Sequence, residues 1–382
     1  MNDPTKGHPE PTKSSLVFFH LLAKAAIVIL CAALFAFFLY LPVLFDIWKY
    51  DKTLNVYGFA ETFTPEAIAR FEKATGIKVN MAYAEADEQI YAKFRINEGE
   101  GYDVVYLSDF MVQILADQGM LHPLDLSLIS NLKSIDSRLL NREFDRGNQF
   151  SIPNKWYMYG IVYDKKFFSA VPKMTLDYLF TDPESLVKKG LVPAPYKVCM
   201  VDDARDAVLL ADIALFGDTK LDDDRLAQIK KMLVKQKKWV EAYTVHSVGY
   251  FLFADIVPIA LSSSGYMRKI LKASDRFDFV IPENHGMLVI ENLSIPKPSK
   301  KIELAHQFIN FMISDSIATI NSSFYGYNSS NMHAHQHLEP SLLSNVNLFP
   351  NDQVFKKLHT PLLPPYLRPK VEEIWLEVGF AR

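Results

Sequence analysis

The sequence predicts an α/β protein with two sheets and a cleft between them, preceded by one transmembrane helix. Three observations lead there: an uncharged run near the N-terminus, strand-like and helix-like segments in alternation after it, and enough chain beyond residue 50 for two ordinary domains. The chain has 382 residues, 49% apolar and 22% charged, a composition that supports a sizeable core and excludes disordered and collagen-like classes. Its net charge is −3, so no basic surplus is offered to a phosphate backbone, and a nucleic-acid partner is not expected. Lys6, Lys13, Lys24 and Lys49 outweigh Asp3, Glu10 and Asp46 in the first fifty residues, which leaves the acidic excess to the rest. A mildly acidic body suits a cationic ligand.

From Ala25 to Phe45 the chain reads AAIVILCAALFAFFLYLPVLF without a charge. As a helix this run crosses about 30 Å of hydrocarbon. A cleavable signal would have an apolar core of about 7 to 15 residues followed by a small-x-small site. Here Asp46, Ile47, Trp48 and Lys49 follow, and Cys31 follows Leu30 rather than a small residue, so neither a signal-peptidase nor a lipoprotein site is evident. An uncleaved anchor is expected, with a cleaved signal as the alternative. Lys6, Lys13 and Lys24 would keep the leading side cytoplasmic, so everything from about residue 50 onward faces outside.

Past the anchor, Leu54 and Val56 and then Ile77, Val79, Met81 and Tyr83 show period two. Between them Pro65 to Thr75 carries Ala67, Ile68 and Phe71 at helical spacing and stops at Gly76, giving strand, helix, strand. Asp103 to Leu107 reads as a short strand, Ser108 or Asp109 as the cap of the next helix, and Gly119 as its end. Tyr196 to Val201 and a helix from Asp203 to Phe216, closed by Gly217, repeat the pattern. Such alternation implies mostly parallel sheets, with ligands bound beyond the strands' carboxyl ends. The expected crossovers between two sheets are Trp156 to Gly160 and Glu291 to Leu293.

Only two cysteines, Cys31 and Cys199, are present, which excludes a disulfide framework and a four-thiolate metal site. The G-x-S-x-G, P-loop, H-E-x-x-H and dinucleotide templates are missing, so no enzyme and no cofactor is expected. His333, His335 and His337 would share a face on a strand, and His333 and His337 on a helix, so either could ligate Zn²⁺ or Cu²⁺; a solvated segment is the plainer expectation.

LNVYGFAETFTPEAIARFEKATGIKV (Leu54 to Val79), YDVVYLSDFMVQILADQGMLHPLD (Tyr102 to Asp125), Ser151-Ile152-Pro153, VDDARD (Val201 to Asp206) and ENLSIP (Glu291 to Pro296) occur in this order. Together they resemble the spermidine/putrescine-binding proteins of ABC-type polyamine importers over about residues 53 to 345. The resemblance implies a type II periplasmic-binding-protein-like fold whose two lobes close by a hinge on a polyamine and deliver it to a permease driven by an ATPase. With the apolar run assigning 1–50 to an anchor or signal, it implies a first lobe of 51–157 and 293–335, and a second lobe of 158–292 and 336–382. It places Asp203, Asp206 and Glu291 where the family holds ligand ammonium groups, Tyr327 at a family aromatic position and Ser108 at a polar contact. Phe59 stands for a Trp, Phe110 and Thr62 for Tyr, Leu261 and Val289 for Trp, and Ala60 for a hydroxyl residue. These departures bear on affinity and on choice of polyamine.

The residues themselves allow the same chemistry and a structural alternative. Asp203 and Asp206 lie three apart at a helix start, where both carboxylates could reach one ammonium, or simply cap the helix and complement its dipole. Glu291 ends an apolar run, and a buried carboxylate is costly unless paired. Phe59, Phe110, Trp156, Tyr157, Tyr159 and Tyr327 could offer ring faces to a cation. Of Trp156, Tyr157 and Tyr159, at least one must be packing, since they cannot all face one cleft. Another solute or a metal, or a sensor or scaffold module that has lost transport, are the alternative functions.

Overall fold

A computed structural model describes residues 13–380 except 172 and 283–285, without the side chains of 13–20, 42–51 and 341. Its contacts separate two units, Met1–Thr53 and Leu54–Arg382. In the first, one helix runs over Lys13–Asp51, and its apolar stretch Leu21–Leu41 has no buried residue. A helix that leaves Ile27, Phe35, Phe38 and Leu39 uncovered has the length and surface of a membrane span or a signal. Lys6 lies outside the described residues, and nothing of the side chains of Lys13 and Asp46 is described.

Among the described residues the second unit is built on eleven strands: β1 (Thr53–Phe59), β2 (Lys78–Ala84), β3 (Val104–Ser108), β4 (Ser151–Asp164), β5 (Val198–Met200), β6 (Val240–Tyr243), β7 (Ile259–Ser263), β8 (Phe277–Val280), β9 (Gly286–Ser294), β10 (Asn328–Ser329) and β11 (Leu358–His359). Helices fall between them where capping chemistry puts them. Thr64 accepts a hydrogen bond from Ala67 N–H, Pro65 opens the helix Pro65–Thr75, and Gly76 closes it at φ 71°, a conformation that costs a side-chain-bearing residue energy. Asp203 caps Ala204–Phe216 in the same way, and Gly217 ends it at φ 73°.

The strands follow the order β2-β1-β3-β9-β4-β7-β5-β6, with β10 and β8 on β4 and β11 on β9. Two separate, mostly parallel sheets were the expectation. β1 with β3, and β5 with β6 and β7, are indeed parallel, but hydrogen bonding continues from one half to the other through β9, antiparallel to β3 and β4, and β4, antiparallel to β9 and β7. The reason is length. β4 has 14 residues, enough for Ser151–Tyr159 to pair β9 while Tyr159–Tyr163 pair β7. The expected crossovers, Trp156 to Gly160 and Glu291 to Leu293, therefore lie inside these two strands, which explains their lack of flexible-linker composition.

Separate apolar clusters cover the two halves. One joins Leu54, Val56, Phe71, Tyr106, Ile152, Leu293 and Phe308; another joins Val198, Val208, Leu209, Leu261 and Val289 with Leu367, Val371 and Ile374 of the chain's end. Leu261 and Val289, two positions where the resemblance expects Trp, are core residues here. Cys199 is fully buried and free.

Candidate functional site

Where β3, β9 and β4 lie side by side, the antiparallel register sets Ser108 opposite Glu291 and Glu291 opposite Lys155. A hydroxyl, a carboxylate and an ammonium thus form one row across three buried strands. Lys155 Nζ lies 2.9 Å from Glu291 Oε2, and both side chains are nearly inaccessible, 14% and 9% exposed. The contact does not have hydrogen-bond geometry. The attraction is Coulombic, and strong because it is shielded from water. The same ammonium sits 5.4 Å from the centre of the Tyr327 ring and 5.8 Å from that of Tyr106, within cation–π range. Phe59 meets Tyr106 edge-on at 6.1 Å, and Tyr327 donates its hydroxyl to the Thr62 carbonyl. Phe59, Tyr327 and Glu291 are therefore one group, joined through Tyr106 and Lys155, neither of which the sequence reading singled out.

A second group gathers at the start of Ala204–Phe216 and of the helix Asp109–Asp117. Asp203 Oδ1 accepts Asp206 N–H at 2.7 Å, so its capping role is real. Asp206 is buried and takes both Nε and Nη2 of Arg205, at 2.9 and 2.6 Å. Arg205 also approaches Asp109 at 3.7 Å and lies 3.7 Å over the ring of Phe110. One face of Phe110, expected to meet a ligand cation, is thus covered by the protein's own guanidinium. Asp109 accepts Ile290 N–H at 3.0 Å, which ties this helix start to β9, and the Asp87 carboxyl turns toward Ser108 N–H. Ser108 Oγ and Arg205 Nη1 are buried without hydrogen-bond partners.

Charge is unbalanced here. Asp87, Asp109, Asp203 and Asp206 gather around Arg205, with Glu88 beside Asp87 and Asp203 and with Arg142 acting on Asp109, and crowding carboxylates away from water shows in their titration. Burial, then the Asp206 carboxylate, raises Asp203 to about 7 against the pull of Arg205. Burial raises Asp109 to about 6, with Arg205 again opposing, and pushes Asp87 up as well. Tyr157 stands between the groups: burial first, then Glu291 and Asp206, hold its phenol in the neutral form. Tyr159 meets Tyr157 edge-on at 5.7 Å and lies beside Asp206. Strand alternation turns Lys155, Tyr157 and Tyr159 to this face and Trp156 to the other, where its indole N–H donates to the Ser329 carbonyl. Trp156 is the packing residue of the three.

The histidines do not converge. The 3₁₀ turn Met332–His335 sends His333 to Asp315 at 3.0 Å and His335 to the Ser329 carbonyl and the Phe349 ring, while His337 is exposed. Among the described residues no cluster of three metal-binding side chains exists. A cavity of about 500 Å³ lined by Asp136, Arg138, Trp156, His335 and Phe349 lies on the Trp156 face, away from the acids.

Lys155, Tyr106 and Arg205 stand in the candidate site without having been singled out from the sequence. The available signals were a lone cation inside a buried strand, and an arginine set between two acids in Asp203-Ala204-Arg205-Asp206.

Two α/β halves joined by crossing strands, with buried charges and aromatic rings at the crossing, define a protein built to enclose a small polar solute. The family model for bacterial extracellular solute-binding proteins matches residues 66–347, and the chain belongs to that family. Its members bind solutes rather than transform them. The chain is 28% identical to spermidine/putrescine-binding periplasmic protein 1 of Haemophilus influenzae, over 81% of this chain and 84% of that one. It is 27% identical to the spermidine/putrescine-binding periplasmic protein of Escherichia coli, over 80% and 85%. Among solved structures, the substrate-binding protein of a spermidine/putrescine ABC transporter from Streptococcus pneumoniae superposes with a TM-score of 0.72 at 26% identity, covering 86% of this chain and 99% of that one. The type II binding-protein fold expected from the sequence is the fold observed.

Proposed function

We propose that the chain captures a polyamine outside the cytoplasmic membrane and passes it to an ABC permease and its ATPase, with the helix Lys13–Asp51 as an uncleaved anchor. The observation that carries this reading is the cluster of buried carboxyls around Asp203: Asp87, Asp109, Asp203 and Asp206 lie about Arg205, with Arg142 acting on Asp109, and burial makes Asp87, Asp109 and Asp203 hold their protons more tightly than usual. A ligand ammonium supplies positive charge together with N–H donors, whereas a neutral solute supplies no charge and an anion adds to the repulsion. Asp203 and Asp206 take the ammonium; Ser108 and Phe110 stand beside it. Phe59 and Tyr327 line the far end of the methylene chain, where Glu291 stands with Lys155. Residues 51–157 and 293–335 form one lobe and 158–292 and 336–382 the other, hinged where β4 and β9 cross. Closure removes water from the site and strengthens each charge pair. The names of the relatives support polyamines as the solute class and the periplasm as the location.

The test is calorimetric titration of the detergent-solubilised full chain with putrescine and with spermidine, and separately with Zn²⁺. The expected result is micromolar or tighter binding of at least one polyamine and none of Zn²⁺. Silence with both polyamines would end this reading, and binding of Zn²⁺ abolished by His333→Ala would replace it.

A further inference from the structure

The far end of the site already contains an amine. Lys155 carries an ammonium on a four-carbon stem, the same chemistry as an aminobutyl end of a polyamine, and that ammonium sits on Glu291 and against the faces of Tyr327 and Tyr106. Glu291 thereby has a cation of its own, whereas Asp109 and Asp206 share Arg205, and Asp87 and Asp203 have no ion pair among the described residues. The pair is fixed by register, because Lys155 and Glu291 are direct cross-strand partners on β4 and β9. A tethered group competes at an effective concentration of about millimolar. A free ligand present at micromolar levels would need roughly a thousandfold better contacts to displace it.

We propose that Lys155 is a built-in stand-in for one ligand ammonium, so that the site selects a diamine over a triamine. This inference rests on the polyamine reading above. The row shows where a longer ligand would otherwise reach: Ser108 Oγ, opposite Glu291 across β3 and β9, is buried without a hydrogen-bond partner, and Glu291 Oε2 is met by the Lys155 ammonium at 2.9 Å. A third ammonium brought to Glu291 meets a positive charge already in place. A diamine can satisfy the acids around Asp203 and leave Lys155 undisturbed. Lys155 is on this account a specificity-determining residue that acts by occupying an acceptor.

The experiment compares dissociation constants for putrescine and spermidine in the full chain, in Lys155→Met and in the charge-free pair Lys155→Met with Glu291→Gln. The parent is expected to favour putrescine. Lys155→Met, by freeing Glu291, is expected to shift the putrescine-to-spermidine preference at least tenfold toward spermidine, and the double variant to restore the parental preference. If putrescine still binds but Lys155→Met leaves the preference within twofold, or the parent prefers spermidine tenfold, the role of Lys155 is overturned and the polyamine reading stands. If Lys155→Met does not fold, the double variant decides: a tenfold further shift toward putrescine would mean that Glu291 had been accepting a ligand amine, against the proposal, and an unshifted preference supports it. No binding of either amine to parent or variants overturns the polyamine reading and this inference together.

Discussion

Asp206→Ala is expected to lower the stability of the folded chain by about 3–5 kcal/mol, the scale for removing one member of a buried ion pair. Arg205 and Asp206 are 8% and 6% exposed, so a guanidinium stripped of its carboxylate cannot turn to water without opening the site. Asp109, 3.7 Å away, recovers part of the loss and places the effect toward the lower end. Denaturant unfolding measures it as a fall in midpoint with little change in slope. Replacing both partners with apolar residues, Arg205→Met with Asp206→Leu, should return most of that stability, because neither side then buries an unpaired charge. A loss below about 1 kcal/mol in the single variant would show that the pair is solvated in solution.

Asp203→Asn separates the two roles that Asp203 holds. Asparagine caps a helix about as well as aspartate, so the bond to Asp206 N–H and the fold are retained while the charge is removed. Binding of putrescine is expected to weaken by about 2–5 kcal/mol, roughly 30-fold or more, since the ligand ammonium is left in a buried site short of one carboxylate. Calorimetry gives the affinity, and a thermal melt at neutral pH should show stability no lower than the parent's, because the substitution removes a charge that burial disfavours. Unchanged affinity would assign Asp203 to capping alone.

The elements legible in the sequence were those specified locally. Thr64 with Pro65, Gly76, Asp203 and Gly217 each solve a helix-end problem within four residues, and the helix ends they predict agree with those observed to within a residue. What local pattern cannot carry is pairing between distant strands. The continuity of the sheet through β4 and β9 depends on register between segments more than a hundred residues apart, and two separate sheets were the natural expectation from alternation alone. The same register hid the partner of Glu291. That a buried carboxylate there needed a cation follows from its position after Met287 to Ile290; that the cation is Lys155 follows only once β4 lies beside β9. The aromatic residues divide similarly. Alternation along β4 settles Tyr157 and Tyr159 against Trp156 once the strand is known, but the side that faces the acids is a tertiary fact.

The most direct measurement is titration of putrescine into the full chain at pH 8 and at pH 6. Its amines, like that of lysine, stay protonated at both values, so any change reports on the protein. Binding needs the carboxylate form, and Asp203 titrates at about 7 in the ligand-free site. At pH 8 the group is mostly ionised and the ligand displaces few protons; at pH 6 it is mostly protonated, and binding must first expel that proton. The account predicts affinity about tenfold weaker at pH 6 than at pH 8, with proton release that grows as pH falls toward 6. Asp109, at about 6, acts in the same direction. Equal affinity at the two pH values, or tighter binding at pH 6, would mean that the acids around Asp203 do not hold the ligand.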